Sequence, residues 1–293
     1  MIIDKNSTAV FRADSYLSES TLPVKPVMDK SILRVVSYNV QVGITTEKPH
    51  HYLIHSWKHL IPHTFRLTNL DRIADLIKEY DIVGLQEIDA GSIRSSFINL
   101  AEFLAERAGF PFWYHQVNRN LGQLAQHASG LLSRYQPDEI TDIRLPGFIP
   151  GRRAIMARYG NGDSALTVFI LHLALSKRAR LNQLDYISDY VNDSAHAILM
   201  GDLNCKADSD EMNLLFRKTK LHRSEVECHT FPSWRPQQPI DHILVTSELE
   251  VVDVKALPNA YSDHLPLVMD IRLPTGLHLN KVGSRKENIR ASM

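Results

Sequence analysis

The chain has 293 residues, of which 44% are hydrophobic and 23% are charged, and its formal net charge at pH 7 is zero. This composition is ordinary for a globular protein, and the length is sufficient for one large α/β domain with a substantial core. The zero net charge argues against a protein that binds long nucleic acid through a broad cationic face. A local basic groove is still compatible with this net charge.

Two cysteines, Cys205 and Cys228, are too few for a disulfide framework and indicate a reduced chain. The sequence contains no apolar run of membrane-helix length, and its first residues lack the basic-then-apolar layout of a signal peptide. We therefore expect a cytoplasmic, monomeric protein without stable membrane insertion.

The first part of the chain predicts an arm, a strand, a helix and a second strand. Residues 1–30 form the arm, residues 31–40 a β-branched strand with Asn39 at its end, residues 68–80 an amphipathic helix capped by Thr68, and residues 81–85 a buried strand that leads to Glu87. The histidine-rich stretch 43–67 is predicted to be a loop or short helical insertion. It either shapes a substrate pocket or is an ordinary surface loop, and the sequence leaves both open.

The middle of the chain predicts a helix, a loop and three strands. The helix covers residues 96–108 with Phe97 facing inward, the loop covers 110–127, and the strands cover 129–134, 153–159 and 165–173, the last two joined by a hairpin turn at Asn161-Gly162.

The second half repeats the organisation of the first half. A strand that ends at His172 is followed by a helix over 179–191 and by the apolar strand that leads to Asp202 and Asn204. Two such layers packed sheet on sheet would bring their strand ends to one edge, where sites commonly form in α/β folds. A short helix over 210–218, strands at 240–246, 251–256 and 267–271, and a tail complete the chain.

Eight polar residues stand at these strand ends or in the adjoining loops: Asn39, Glu87, His172, Asp202, Asn204, Asp241, Asp263 and His264. Each residue alone has an ordinary explanation, such as a turn signal or a hydrogen-bonded core histidine. The set is harder to dismiss, because a charged or amide group beside a buried strand is unfavourable unless it has partners. Carboxylates, carboxamides and imidazoles without a thiol cluster suit Mg²⁺ or Mn²⁺ and attack on a phosphate ester.

Six stretches then resemble, in order, the endonuclease/exonuclease/phosphatase superfamily of metal-dependent phosphohydrolases. They are VVSYNVQVG (35–43), IVGLQEID (82–89), LHLALSKRARLNQL (171–184), MGDLNCKADSDE (200–211), IDHILVT (240–246) and YSDHLPLV (261–268). The resemblance implies an α/β (α+β) fold of the deoxyribonuclease I-like type, a four-layer α/β sandwich in which helices flank two packed mixed β-sheets. It covers a domain at 31–273, with a tail at 274–293.

The resemblance also implies residue roles. Asn39, Glu87 and Asp263 would bind the metal, Mg²⁺ or Mn²⁺. The catalytic residues would be His172, Asp202, Asn204, Asp241 and His264: Asp202 acts on the attacking water, Asn204 holds a phosphate oxygen, and His264 is polarised by Asp241. Arg153 would contact the substrate phosphate, although Arg152 is an alternative for that role.

The implied reaction is hydrolysis of a phosphodiester by activated water, without a covalent intermediate. Its substrate would be nucleic acid or a phospholipid headgroup. The preferred interpretation is a nuclease-like activity, and the alternative is a phospholipid or sphingomyelin phosphodiesterase. In the alternative, Phe148-Ile149-Pro150 and Trp234 are candidates for apolar membrane docking. His172 disfavours the abasic-site endonucleases, which have Tyr there. The six residues between Trp234 and Asp241 disfavour the inositol-phosphate phosphatases. A degenerate binding or scaffold module is the non-enzyme alternative.

Overall fold

A computed structural model describes residues 31–43, 63–120, 122, 124–147 and 151–280. The predicted arm, most of the histidine-rich stretch, residues 148–150 and the end of the tail lie outside the described residues. The described strands are β1 (Ile32–Asn39), β2 (Ile82–Asp89), β3 (Phe112–Asn120), β4 (Gln126–Ser133), β5 (Glu139–Arg144), β6 (Arg153–Tyr159), β7 (Leu166–His172), β8 (His196–Asp202), β9 (Leu221–His222), β10 (Asp241–Thr246), β11 (Glu250–Ala256) and β12 (Leu267–Arg272). The α-helices are α1 (His63–Ile77), α2 (Leu100–Ala108), α3 (Lys177–Asn192) and α4 (Asp210–Lys218).

The strands form two mixed sheets of six strands each. The order is β11-β12-β1-β2-β4-β3 in the first sheet and β5-β6-β7-β8-β10-β9 in the second. Each sheet contains one parallel pair, β1 with β2 and β7 with β8, and the other pairings are antiparallel. Helix α1 connects the first parallel pair and α3 connects the second, which confirms the predicted duplication.

Three buried clusters separate four layers. One cluster packs α1 and α2 on the outer face of the first sheet, for example Leu70 and Leu104 against Val83. The second lies between the two sheets, and the third packs α3 and α4 on the outer face of the second sheet. The architecture is therefore the predicted four-layer α/β sandwich. No helix of the described part of the chain is long and apolar enough to cross a membrane.

Two predicted helix starts are wrong. Helix α1 begins at His63, so Thr68 lies inside it and does not cap it. The buried Asn69, which bonds to other segments, interrupts the apolar pattern on this helix. Helix α2 begins after Asn99, whose Oδ1 accepts the N–H groups of the first turn. Phe97 therefore lies before the helix and is 67% exposed.

The predicted loop over 110–127 is wrong in a different way, because half of it is strand β3. This strand is at the edge of the first sheet and pairs only with β4 among the described strands. Its sequence, FWYHQVNRN, mixes polar and aromatic residues, as half-exposed edge strands do. Strand β5 at the edge of the second sheet was likewise not predicted, and its residues are largely exposed or half-buried.

Strand β8 passes unusually close to β7 just before Asp202. At Gly201 the backbone has φ +150°, and an added Cβ would lie 1.9 Å from the carbonyl oxygen of Leu171. No side chain fits at this separation. Glycine at 201 is thus what allows the two strand ends, with His172 and Asp202 in register, to lie side by side.

We expect Gly201→Ala to lower the free energy of unfolding by about 3 kcal/mol or more, because the methyl group overlaps the Leu171 carbonyl. Urea unfolding followed by circular dichroism measures the change. Gly162→Ala is the matched control, since its φ is +61° and an added Cβ meets nothing within 4 Å. Gly162→Ala should lower the free energy of unfolding by about 1 kcal/mol, because of its backbone conformation alone. Equal effects of the two variants would contradict the close approach at Gly201.

Candidate active site

The predicted site residues converge at one edge of the sandwich, from both sheets. Asn39, His172 and Asp202 are the last residues of β1, β7 and β8, and Asp241 is the first residue of β10. Because β10 runs antiparallel to β8, its start meets the end of β8, with Asp241 opposite Asp202. The loop before β12 adds Asp263 and His264. Most of this set is buried, and the side chain of Glu87 is 37% exposed, which marks the open side of the site.

Asp202 is the centre of this arrangement. Its Oδ2 accepts a hydrogen bond from Asn39 Nδ2 at 3.1 Å. The same oxygen lies 3.6 Å from His172 Nε2 and 3.8 Å from His264 Nε2. Its Oδ1 accepts the backbone N–H of Asn204 at 3.0 Å. One carboxylate therefore faces residues from both sheets.

Glu87 reaches the site through an irregularity in β2. The register of β2 with β4 shifts between Leu85 and Ile88, and Glu87 has φ +55°. A bulge of this kind turns a side chain out of the alternation of its strand. Glu87 Oε1 lies 3.8 Å from His172 Nε2. The positive φ is a conformation that non-glycine residues rarely adopt, and it is found at functional sites.

Asp241 and His264 form a buried hydrogen-bonded pair. His264 Nδ1 lies 2.8 Å from Asp241 Oδ2, and the ring of Phe231 lies 4.8 Å from the imidazole, centroid to centroid. Since a carboxylate oxygen accepts, Nδ1 carries the proton and Nε2 is directed toward Asp202. This is the orientation in which a histidine can act on a substrate through Nε2.

Two residues that the sequence analysis missed hold the loop that carries His264. Ser233 donates its backbone N–H to Asp263 O at 2.7 Å and its hydroxyl to Ser262 O at 2.6 Å. Asn69 donates from Nδ2 to Gly43 O at 3.0 Å and to Tyr261 O at 2.8 Å. The loop is thereby tied to the segment that follows β1. The one signal for Asn69 in the sequence was a polar residue beside the apolar residues of the predicted helix.

Burial and mutual charge shift the pKa values of these groups strongly. Burial, with repulsion from Asp241 and Glu87, raises the pKa of Asp202 to about 7, although the nearby His264 opposes the shift. Burial and Glu87 likewise raise the pKa of Asp263 to about 6. Burial lowers the pKa of His264, but attraction to Asp241 and Asp202 outweighs it and raises that pKa to about 10. His264 is therefore the cationic imidazole of the group.

His172 has the opposite character. Burial, and then the positive charges of Arg152 and His264, hold its pKa well below the ordinary value. His172 is neutral near pH 7, so its contacts with Glu87 and Asp202 are polar contacts and not ion pairs. The effect of Arg152 and His127 on His172 also places these two residues near the site, and the sequence had not indicated His127.

The donor set fits a divalent cation. Asp202, Asp241 and His264 offer ligand atoms within 4.8 Å of one another, but Asp241 and His264 already bond to each other. Burial, and then the negative charge of Glu87, raise the pKa of both Asp202 and Asp263, and Asp241 adds to the shift of Asp202. A cation among these oxygens would relieve that repulsion, and hard oxygen donors suit Mg²⁺ or Mn²⁺.

Asn204 lies at the end of the Asp202 segment in a left-handed conformation, with φ +53°. Its Nδ2 donates one hydrogen bond to Leu173 O at 3.0 Å. Because a carboxamide nitrogen carries two hydrogens, this contact orients the amide and leaves the second hydrogen for another acceptor. The position is compatible with the expected contact to a phosphate oxygen.

The structure separates the two arginines considered for the substrate phosphate. Arg153 Nη1 lies 3.8 Å from Asp142 Oδ2, and Asp142 accepts the hydroxyl of Tyr114 at 3.1 Å, so Arg153 belongs to a clasp between the edges of the two sheets. Burial lowers the pKa of Arg152, and the carboxylates of Glu87 and Asp202 oppose this. Arg152, the alternative, is thus the arginine that shares the electrostatic environment of the site.

Comparison with known proteins agrees with this geometry. The sequence matches the model of the Endonuclease/Exonuclease/phosphatase family over residues 36–264. The chain belongs to this family. A comparison with curated proteins gave no match.

Several solved structures share the deoxyribonuclease I-like fold of this family. An endonuclease/exonuclease/phosphatase from Beutenbergia cavernae DSM 12333 is 21% identical with a TM-score of 0.61, over 83% of this chain and 72% of that chain. A family protein from Bacteroides thetaiotaomicron is 17% identical with a TM-score of 0.65, over 83% and 98%. The mannosyl-6-phosphatase Bt3783 of Bacteroides thetaiotaomicron VPI-5482 is 17% identical with a TM-score of 0.62, over 82% and 99%. At these identities the likeness concerns the fold alone.

The raised pKa of His264 predicts a pH-dependent stability in metal-free protein. A histidine whose pKa rises from 6.5 to about 10 on folding stabilises the fold fully below about pH 6.5. This contribution is lost as the pH rises through 10. The stability difference between wild type and His264→Gln, from urea unfolding in EDTA, should therefore be larger at pH 6 than at pH 10. The control is His278→Gln, at an exposed position, which should change the stability little. A pH-independent difference for His264→Gln would contradict the charged pair.

Proposed function

We propose that the protein is a divalent-metal-dependent phosphodiesterase that hydrolyses its substrate by direct attack of water, with nuclease-like action. The observation that carries the proposal is the position of Asp202 between Asn39, His172 and His264, beside Glu87. A carboxylate whose pKa is near 7 can accept a proton from water at neutral pH. Family membership supports a hydrolase that acts on phosphoester bonds.

The residues divide into three roles. Glu87, Asp263 and Asn39 would hold the cation, Mg²⁺ or Mn²⁺, which would supply positive charge beside the phosphoester oxygens. Asp202 orients and deprotonates the attacking water. The cationic His264, held by Asp241, donates from Nε2 to a phosphate oxygen, where negative charge grows as water attacks.

Asn204 and Arg152 complete the electrostatic environment of the phosphate. The second amide hydrogen of Asn204 is directed by the bond of the first to Leu173 O. The guanidinium of Arg152 can donate to two phosphate oxygens at once. The neutral His172 accepts or donates one hydrogen bond without adding charge, which suits a residue that positions water or a phosphate oxygen between Glu87 and Asp202.

The reaction is tested with a panel of plasmid DNA, single-stranded DNA, RNA, sphingomyelin and phosphoinositide vesicles, a sugar phosphate and bis-p-nitrophenyl phosphate. Hydrolysis should require Mg²⁺ or Mn²⁺ and stop in EDTA. Asp202→Asn should reduce kcat by about 10²–10⁴-fold, the range for loss of a general base. Asp208→Asn, at an exposed position in the following loop, is the control and should keep wild-type activity. Inactivity on the whole panel would favour a binding module of the same fold.

The metal assignment is tested separately by calorimetry with Mn²⁺ alone. Glu87→Gln should weaken Mn²⁺ binding at least about tenfold, because the variant lacks a charged oxygen ligand. The same Mn²⁺ affinity in wild type and variant would remove Glu87 from the metal site, whatever the substrate.

Arg152 and Arg153 should differ in their effect on catalysis. We expect Arg152→Ala to lower kcat/KM about tenfold or more through loss of a phosphate contact. Arg153→Ala should change kcat/KM less than about threefold, since its partner Asp142 is half-exposed and such pairs contribute little. The reverse order in steady-state kinetics would restore Arg153 as the phosphate residue.

A phospholipid phosphodiesterase is the second candidate, favoured by exposed apolar side chains on loops next to the strands that carry site residues. Of the seven exposed large hydrophobic side chains among the described residues, four lie on loops that adjoin the end of β2, the start of β4 or the end of β7: Ile93, Phe97, Leu124 and Leu175. The buried carboxylate of Asp89 accepts hydrogen bonds from three residues of the loop that carries Phe97, and these bonds help to fix its conformation. Of the docking residues expected from the sequence, Trp234 is half-buried and 148–150 lie outside the described residues. Faster hydrolysis of vesicle lipid than of nucleic acid would select this candidate.

The monomeric state, the cytoplasmic location and the domain boundaries stay predictions.

A further inference from the structure

The segment 230–233 contacts both members of the buried Asp–His pair. Thr230 Oγ1 donates to Asp241 Oδ2 at 2.5 Å, and this is the oxygen that His264 Nδ1 also contacts, at 2.8 Å. The carbonyl of Thr230 accepts the backbone N–H of Leu265, the residue after His264, at 2.9 Å. Thr230 is fully buried, so no water competes for these contacts. One residue therefore links the carboxylate of the pair to the backbone beside its imidazole.

A single hydrogen bond leaves a carboxylate free to turn about its Cβ–Cγ bond. The other oxygen of Asp241, Oδ1, is buried and has no hydrogen-bond partner among the described residues, so it does not restrain the group. The second donor on Oδ2, the Thr230 hydroxyl, is then what fixes the direction in which Asp241 faces His264. Two donors on one oxygen also disperse its negative charge, which makes that oxygen a weaker acceptor for the proton on Nδ1.

We infer that Thr230 is a positioning residue for the proposed phosphoester hydrolysis, acting through Asp241 on His264. The hydroxyl holds Asp241 so that the imidazole keeps its proton on Nδ1 and directs Nε2 toward Asp202 and the phosphate. The inference rests on the proposed function of His264. It adds a requirement for a hydroxyl group at position 230, which the sequence HTF at 229–231 does not reveal by itself.

The test compares Thr230→Val, which keeps the shape and removes the hydroxyl, with Thr230→Ser, which keeps the hydroxyl. On the best substrate of the panel, Thr230→Val should lower kcat roughly tenfold to a hundredfold, the range for losing one hydrogen bond to a charged group, with little change in KM. Thr230→Ser should stay within about threefold of wild type. Thr246→Val is the matched control: Thr246 is a buried threonine at the far end of β10, where its hydroxyl accepts the N–H of Ala197. It should lower the melting temperature but not kcat. Equal losses for the valine and serine variants at position 230 would overturn the inference, as would wild-type kcat in Thr230→Val.

A double-mutant cycle distinguishes action through Asp241 from a general loosening of the fold. In the Asp241→Asn background the Thr230→Val change should cost less than about threefold, because the charged acceptor is already gone. Multiplicative losses would overturn the inference. If Thr230→Val does not fold, Thr230→Ala takes its place in the same cycle.

A proton NMR spectrum of metal-free protein supplies a readout that needs no substrate. A hydrogen-bonded Nδ1–H of His264 should give a low-field resonance that is absent in His264→Gln. Thr230→Val should shift or broaden this resonance and Thr230→Ser should retain it. An unchanged resonance in Thr230→Val would overturn the inference even if no phosphoester is hydrolysed. A shifted resonance without hydrolysis would instead count against the proposed function alone.

Discussion

The main constraint on the structure is that several carboxylates gather at a buried edge between the two sheets. Asp202, Asp241 and Asp263 are almost inaccessible to water, and Glu87 faces them from the open side. Buried negative charges repel one another and lose their hydration, so such a group is stable only with compensating partners. His264 supplies positive charge within the protein, and the remaining excess makes the edge a place for a divalent cation. A divalent cation at this edge would relieve the repulsion and would then attract the anionic oxygens of a phosphoester.

The backbone is built around this requirement. The end of β8 can lie beside β7 because residue 201 has no side chain. The end of β2 delivers Glu87 through a register shift and a positive φ. Asn69 and Ser233 bond to carbonyl groups of the loop before β12 and help to hold it in place. Each of these features restricts the conformation of a residue that carries a charge, so that the charged atoms are in place before a substrate arrives.

Much of the site could be predicted from the order of residue types in the chain. Polar residues at the ends of apolar strands, such as Asn39 and Asp202, are recognisable because they interrupt strong local patterns. The duplication of strand, helix and strand also indicated that two sheets would meet. The predictions were wrong where the local pattern was weak: the edge strand β3 mixes polar and aromatic residues, and the buried Asn69 interrupts the apolar pattern of α1, which begins at His63.

The sequence by itself determined the fold class, the family resemblance and the set of residue types in the site, because each of these depends on short stretches of chain. Only the tertiary structure decided which residues meet and in what protonation state. Asn39 and Asp202 are hydrogen-bonded although 163 positions separate them. The neutral His172 and the cationic His264 are the same residue type, and they differ because of burial and of the charges that folding places around each ring. Arg152 and Arg153 are adjacent in the chain, yet one faces the site and the other a clasp between sheet edges, because neighbouring residues on an extended chain point to opposite sides.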